Sequence, residues 1–333
     1  MIDEYKNEHQ VDGLSLNEKL VMENEELFLQ ILPEMGAKIT HITRKKSGTE
    51  FLKQPKKVLD KTRLPKYGQE FLPPYAVGFD ECFPNISPSV YKHESGRKIY
   101  LPDHGELWSQ SWMFERISDE EIKFWMDGVQ LDYRFYKTIK LKGSSIKILY
   151  EVENWGDSII EYIWSSHPLL EIQKGDKLVL PEEVTEVVVN GTQRHDNRKT
   201  EKLIEWPELY GSPHGVHFDE VLPPSSKFAG KFFTDRLQSG FAGIYRVESD
   251  ESILFRFDTE KIPYLGIWLC YGGWPESSQQ KDYTVALEPC SSRPDSLNEA
   301  IKWGEQKSIR PKDISTWELE ILIHDGQPNI SQI

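Results

Sequence analysis

The chain has 333 residues, enough for one large β domain or two ordinary ones, and 38% of them are hydrophobic, enough to fill a sizeable core. Its formal net charge is −14, and an acidic surface repels nucleic acid and anionic membranes, so neither is expected as a partner. The charge also argues against a highly phosphorylated substrate, unless a local basic pocket overrides the global sign.

The cysteines and the first residues bear on the cellular compartment. Three cysteines, Cys82, Cys270 and Cys290, are too few and too scattered for a disulfide framework or a zinc site. Residues 1–8 are charged and lack an apolar signal region, and no later run reaches the ~20 apolar residues of a membrane span. We therefore expect a soluble cytoplasmic protein, either a monomer or a homodimer.

Apolar and polar residues alternate along most of the chain. The clearest stretches are 133–141, 146–153, 160–164, 253–257 and 317–323. Turn residues such as Gly143-Ser144 close them. Alternation of this kind is typical of antiparallel strands with one buried face. The pattern predicts an all-β chain.

Helical patterns are sparse, and one short helix is predicted. Ser296 to Glu299 has capping-box spacing, and Gly304 is the expected stop. No βαβ rhythm, Walker loop or dinucleotide glycine motif is present in the sequence. Because no Ser- or Gly-rich linker divides the chain, we predict a single domain over 1–333. Its core should span about 15–325, with the first dozen residues and the tail after Gly326 loose.

Four segments depart from simple strand filling, namely 78–86, 101–108, 164–170 and 285–297. They place acids, His and Asn among aromatic residues. The chain also has ten tryptophans, more than a core of this size needs. Flat indole rings often line sites that stack against the apolar face of a sugar, although β-rich proteins carry many aromatics in any case.

The strand that leads into the fourth segment ends near a glutamate. Asp282, Thr284, Ala286 and Glu288 share one face, and the small residues among them would leave room for a ligand. Pro289 is predicted to end the strand. An exposed glutamate before a turn is the alternative interpretation.

Two histidines lie in the other segments. His167 precedes Pro168, which favours an extended conformation at a strand end, and His104 lies in a turn-like stretch between Asp103 and Gly105. A histidine in a β protein is more often a hydrogen-bonded structural residue than an acid, and both interpretations stay open for each.

Taken together, the order His104, His167, Glu288 on an unbroken, Trp-rich β chain resembles the aldose 1-epimerase (galactose mutarotase) family. Three further stretches are similar to motifs of that family. They are the Leu-Glu-Pro strand end with 293–295 and the short helix, 262–268 with 271–274, and 33–39. The resemblance covers about Ser15 to Asp325.

The resemblance implies a β-supersandwich of large antiparallel sheets with few short helices, and a sugar lying across one broad concave sheet. It implies an isomerase of carbohydrate metabolism that interconverts the α and β anomers of a free hexose or related sugar, without a cofactor or metal. Glu288 matches the base that deprotonates the anomeric hydroxyl. His167 matches the acid that protonates the ring oxygen. His104 matches a second His, which contacts the side of the sugar that carries the ring oxygen. A nearby carboxylate is expected to raise the pKa of His167 and keep it protonated at neutral pH.

Further substrate-binding candidates come from the same segments and from the strand before the last one. They are Asp80, Asn85, Glu106, Trp108, Trp268, Trp274 and Arg293. Two stretches depart from the family pattern, because acids at 80–81 stand where the family carries Arg, and His104-Gly105-Glu106 replaces a Leu-His-Gly-Gly motif. Both changes lie where hydroxyl contacts are expected, so we predict a sugar other than galactose.

Two alternatives remain. A hexose-6-phosphate mutarotase would need basic residues beside the phosphate, for which Arg293, Lys231 and Arg97 are candidates. A sugar-binding module without turnover would be marked by loss of Glu288 or His167, and both residues are present.

Overall fold

Two large antiparallel sheets dominate the computed structural model, which describes residues 20–55, 64–94, 96–189, 202–208, 217–276 and 278–328. With strands numbered in chain order, the ten-stranded sheet runs β1 (Leu20–Glu23), β2 (Leu27–Leu32), β3 (Lys38–Arg44), β4 (Phe79–Cys82), β12 (Ser165–Leu170), β20 (Tyr283–Cys290), β19 (Tyr264–Tyr271), β16 (Phe228–Thr234), β14 (Glu186–Val189), β15 (Lys202–Glu205). The eight-stranded sheet runs β13 (Lys177–Val179), β17 (Phe241–Arg246), β18 (Glu251–Phe257), β22 (Ile314–Asp325), β10 (Ser145–Asn154), β9 (Tyr133–Lys142), β8 (Glu121–Asp127), β7 (Met113–Ser118).

Two smaller pairs complete the sheets, β5 (Ser89–Lys92) with β6 (Lys98–Leu101), and β11 (Ile160–Tyr162) with β21 (Lys307–Ile309). The described residues also form one α-helix, α1 (Leu297–Trp303), and no helix among them is long and apolar enough to cross a membrane. The predicted loose N-terminus and residues 15–19 of the predicted domain core lie outside the described residues, as does the tail from 329 on. The single-domain assignment stays a prediction.

The alternating stretches form strands, as predicted, except that β11 ends at Tyr162 and residues 163–164 lie between β11 and β12. In β9 and β10 every second residue is buried, beginning with Tyr133 and Ile146, because each strand turns one face towards the other large sheet. The predicted helix is confirmed as α1, which ends at Gly304 in a left-handed conformation (φ 72°). Ser296 is its N-cap residue, but its hydroxyl makes no capping hydrogen bond.

Two strand ends lie further along the chain than the sequence predicted. Pro168 lies inside β12 and Pro289 inside β20, so both strands continue beyond His167 and Glu288. Proline removes one donor, but its fixed φ is compatible with an extended strand. In β20 the residues on either side of Pro289 keep their partners in β19. The two candidate catalytic side chains therefore lie within a continuous sheet.

The main hydrophobic core lies between the large sheets. Ile267 and Leu287 from the ten-stranded sheet join Ile148 and Phe255 from the eight-stranded sheet in one buried cluster. A second, smaller cluster includes Leu169, Ala286 and Trp108. Because side chains alternate along a strand, this second cluster covers the opposite face of the ten-stranded sheet.

Candidate active site

A cavity of about 270 Å³ opens on the face of the ten-stranded sheet that carries the smaller cluster. Its ionisable lining residues are Asp103, His104, His167, Lys231, Asp282, Glu288 and Asp295. Its aromatic lining residues are Phe71, Trp268 and Trp274. Because the walls come from four central strands and from the loops above them, residues far apart in the sequence meet here.

Strand register places the central pair. His167 on β12 lies opposite Asp80 on β4, and Glu288 on β20 lies opposite Gly266 on β19. The pairs on either side of His167, which join Ser165 to Cys290 and Leu169 to Ala286, set His167 beside Glu288. A Cβ atom at Gly266 would lie 3.3 Å from both Cβ and Oε2 of Glu288, so glycine here makes room for the carboxylate.

The Glu288 carboxylate is fully buried and has one strong partner. Its Oε2 accepts a hydrogen bond from Nζ of Lys231, whereas Oε1 lies 3.8 Å from Nε2 of His167 and has no hydrogen-bond partner among the described residues. Burial raises the pKa of Glu288, and the charge of Lys231 counteracts this only in part. Burial alone would lower the pKa of Lys231, but Glu288 and Asp295 outweigh it and raise that pKa.

The environment of His167 favours the neutral form of its ring. Burial lowers its pKa well below the ordinary value, and the positive charges of His104 and Lys231 lower it further. The prediction that a nearby carboxylate would hold His167 protonated is therefore wrong. The nearest carboxylate, Glu288, already has its charge balanced by Lys231.

His104 is held by the residue before it. Its Nδ1 lies 3.0 Å from Oδ1 of Asp103, and its ring stacks on Phe71 with 4.3 Å between ring centroids. Oδ2 of Asp103 accepts a hydrogen bond from the amide of Phe71. Burial acts to raise the pKa of Asp103, but its hydrogen bonds and the charge of His104 outweigh this effect and lower the pKa, so the carboxylate is ionised.

A turn with positive φ angles brings His104 to the cavity. His104 has φ 58° and Gly105 has φ 75°. A Cβ atom at Gly105 would lie 2.2 Å from the carbonyl oxygen of Phe83, so only glycine fits there. A histidine with positive φ is uncommon, and here the conformation places the His104 ring 5.0 Å from that of His167.

Two more carboxylates face the cavity. Asp282 pairs with Nζ of Lys53 at 2.8 Å. Oδ1 of Asp295 is buried and has no hydrogen-bond partner among the described residues, so it can accept a hydrogen bond from a ligand hydroxyl. The Trp268 and Trp274 rings meet at 89° with centroids 6.0 Å apart and provide an apolar wall.

Five of the ten predicted site residues line the cavity, namely His104, His167, Trp268, Trp274 and Glu288. Asp80 does not line it, because its carboxylate is fully buried in an ion pair with Lys38. Lys38 in turn donates to the carbonyls of Tyr75 and Val77, so this pair anchors the loop beside Phe71.

Glu106 is also absent from the lining. Its carboxylate accepts hydrogen bonds from the hydroxyls of Tyr67 and Tyr133 and from the amides of Val129 and Gln130. These donors satisfy both of its oxygens. Glu106 therefore holds protein segments together.

The other three predicted residues lie outside the lining, and two of them support the site from behind. Nδ2 of Asn85 donates to the carbonyls of Ser87 and Pro102, and Nε1 of Trp108 donates to the carbonyl of Asp103. Both residues therefore fix the loop that carries His104. Arg293 pairs with Glu305 at 2.6 Å, away from the lining.

Sequence reasoning did not select Asp103, Asp282 or Asp295 as site residues and considered Lys231 only as a phosphate ligand. Two signals were available: Asp103 adjoins His104, and Asp282 shares the strand face of Glu288 by alternation. For Lys231 there was none, since only the strand order of the sheet places it beside Glu288.

A scan against protein-family models and a search of curated proteins each give no match. Solved structures do match. A candidate aldose 1-epimerase from Escherichia coli K12 has a TM-score of 0.69 at 16% identity, covering 92% of this chain and 99% of that one. Two galactose mutarotase-like proteins follow, from Lactobacillus casei ATCC 334 (TM-score 0.67, 15% identity, 92% and 100% covered) and Clostridium acetobutylicum (0.68, 13%, 94% and 97%). The predicted all-β, galactose mutarotase-like fold is confirmed, and at these identities the likeness concerns the fold alone.

Proposed function

We propose that the chain is a mutarotase of the aldose 1-epimerase type, an isomerase that interconverts the α and β anomers of a neutral free hexose or related aldose. The observation that carries the proposal is the buried Glu288 carboxylate beside His167, in a cavity that also holds His104. The fold shared with galactose mutarotase-like proteins supports it.

The reaction requires one proton to leave the anomeric hydroxyl and one to reach the ring oxygen, followed by the reverse. Glu288 accepts the first proton on Oε1, the oxygen that Lys231 leaves unoccupied. His104, whose Nδ1 lies 3.0 Å from Oδ1 of Asp103, delivers the second. The bond between C1 and the ring oxygen breaks, and an open-chain aldehyde forms.

Rotation about the C1–C2 bond then presents the other face of the aldehyde. The ring oxygen attacks C1 and returns its proton to His104, while Glu288 returns its proton to the new anomeric oxygen. No redox change occurs, and the protein ends as it began. Neutral His167 is assigned a hydrogen-bonding role beside Glu288, instead of the acid role expected from the sequence.

The charges of the lining favour a neutral substrate. Lys231 is already paired with Glu288, and Lys53 with Asp282, so Asp295 is the lining carboxylate without an ion-pair partner among the described residues. Hydrogen bonds from sugar hydroxyls to charged acceptors contribute about 1.5–3 kcal/mol each. The Asp295 carboxylate would repel a phosphate or a uronic acid carboxylate. We further propose that the enzyme works in the cytoplasm, where its three buried cysteine thiols would stay reduced.

Anomer exchange measured by NMR tests the proposal, with free aldoses, hexose 6-phosphates and uronic acids as substrates. We expect catalysed exchange of at least one free aldose and its loss in Glu288→Gln. Exchange of hexose 6-phosphates alone would establish the phosphosugar alternative. Saturable binding of a free aldose without any exchange would establish a sugar-binding protein, and the absence of both would overturn the proposal.

A further inference from the structure

A second cavity, of about 220 Å³, lies where β11, β21 and β22 meet the loop before β19. Its buried residues include Tyr162, Trp164 and Trp317, and the exposed Lys261 and the half-buried Lys307 also line it. The two cavities share no lining residue. The second cavity is therefore separate from the proposed active site, although Trp164 lies just before β12.

The aromatic residues of this cavity carry hydrogen-bond donors without acceptors. Nε1 of Trp164 and Nε1 of Trp317 are both buried, and neither has a hydrogen-bond partner among the described residues. The two indole rings lie 5.2 Å apart between centroids. An indole nitrogen can only donate, and leaving a buried donor unpaired is costly. Two indole donors of the lining residues are therefore left without an acceptor among the described residues.

The cations of this cavity lack counterions. Lys307 lies opposite Tyr162 in the β11–β21 pair. Burial lowers its pKa, and the positive charges of Arg236 and Lys261 lower it further. No carboxylate forms an ion pair with Lys307 or Lys261 within the described part of the chain, and Glu260 is the one acid in the lining.

The lining also carries hydroxyl groups that can donate to a ligand oxygen. Ser291, Ser308, Ser315 and Thr316 line the cavity and can each donate one hydrogen bond. The chain has a net charge of −14, so two lysines in one cavity without ion-pair partners among the described residues contrast with the acidic character of the whole chain. A ligand that supplies several acceptor oxygens would pair with the indole donors, and its negative charge would balance the lysines.

We propose that this second cavity binds an oxyanion, the phosphate or carboxylate group of a small molecule. Lys307 is the main electrostatic contact, Lys261 covers the mouth, and the indole N–H groups of Trp164 and Trp317 donate from the buried side. The site does not depend on the mutarotase assignment, since it shares no residue with that cavity.

Calorimetric titration of the full chain with inorganic phosphate, and separately with acetate, tests the proposal at constant ionic strength and pH 7. We expect saturable binding of at least one anion, accompanied by a change in tryptophan emission with the same midpoint. Lys307→Gln should weaken binding at least tenfold. Lys302→Gln removes an exposed lysine outside the cavity, and Glu288→Gln alters the other cavity, so both should bind as the wild type does.

The two titrations also distinguish the ligand class, because the anion that binds more strongly, phosphate or acetate, identifies the preferred oxyanion. Thermal unfolding of each variant establishes that it is folded at the titration temperature. The proposal is overturned if neither anion binds saturably, or if folded Lys307→Gln binds with wild-type affinity.

Discussion

Nζ of Lys231 donates to one oxygen of the Glu288 carboxylate and leaves the other oxygen turned towards His167, 3.8 Å away. Lys231 on β16 and Glu288 on β20 lie on strands separated by β19, so the pair spans the central part of the ten-stranded sheet. The ion pair counteracts the effect of burial on Glu288 and favours its ionised form. Proton abstraction requires a base in its ionised form, and the ion pair both favours that form and fixes the orientation of the carboxylate.

Replacing Glu288 with Gln should abolish catalysed anomer exchange. Removal of a general base costs ~10²–10⁴-fold in rate. The Gln amide oxygen can still accept the hydrogen bond from Lys231, so the fold should persist. NMR exchange measurements and circular dichroism together check this, and near wild-type exchange in a folded variant would show that Glu288 is not the base.

Replacing Lys231 with Met should shift the pH dependence of catalysis. Lys231 lowers the pKa of Glu288, so without it that pKa rises further and the carboxylate is protonated over a wider range. The acidic limb of the kcat/KM profile should move to higher pH. Lys53→Met, which removes a similarly buried lysine paired with Asp282, should leave that limb in place. An unshifted limb in Lys231→Met would contradict the role given to Lys231.

The two cavity histidines should differ in their effect on rate. His104→Asn should cost ~10²-fold or more, as loss of a general acid does. His167→Asn should cost no more than about tenfold, because a neutral hydrogen-bonding group contributes about 0.5–1.5 kcal/mol.

The exposed His324, far from the cavity lining, supplies the control, and His324→Asn should change nothing. Rates of anomer exchange at saturating substrate check all three variants. A larger loss at His167 than at His104 would return the acid role to His167.

Substrate choice should follow the carboxylates of the cavity. A free aldose is expected to have a higher kcat/KM than its 6-phosphate, because Asp295 repels an anion. Asp295→Asn should lower kcat/KM for the neutral sugar, and the ratio of kcat/KM between the neutral sugar and its 6-phosphate should become smaller. Parallel assays of both sugars with both proteins measure this, and a wild-type preference for the phosphosugar would reverse the assignment.

The stability of the fold should depend on the protonation of His167. The pKa of His167 is lowered in the folded state, so between pH 6.5 and that lower value the unfolded chain binds a proton that the folded chain does not. Over this window stability falls as pH decreases, by up to about 1.4 kcal/mol per pH unit. Urea unfolding at pH 8 and pH 5.5 should show a smaller loss for His167→Gln than for the wild type. Equal losses would show that His167 titrates normally in the fold.

Much of the fold was predictable from local pattern, because alternation along a strand reports directly on which face is buried. The strands around 133–152 and 317–323 follow from it, whereas the helix at 297–303 follows from the capping-box spacing and Gly304. Alternation also predicts that Asp282, Ala286 and Glu288 share one face of their strand. That face is the one that borders the cavity. These features depend only on neighbours in the chain.

Partners across the sheet were decided by the tertiary structure alone. Strand order and register bring Lys231 and His167 to Glu288, and they turn Asp80 and Glu106 towards protein groups instead of a ligand. The charge state of His167 also depends on this arrangement, because burial and the surrounding cations act through space. Sequence alone thus determined which strand faces could carry the chemistry. The register between distant strands decided which ionisable groups meet on those faces. Side chains on two strands interact only when the fold places the strands side by side.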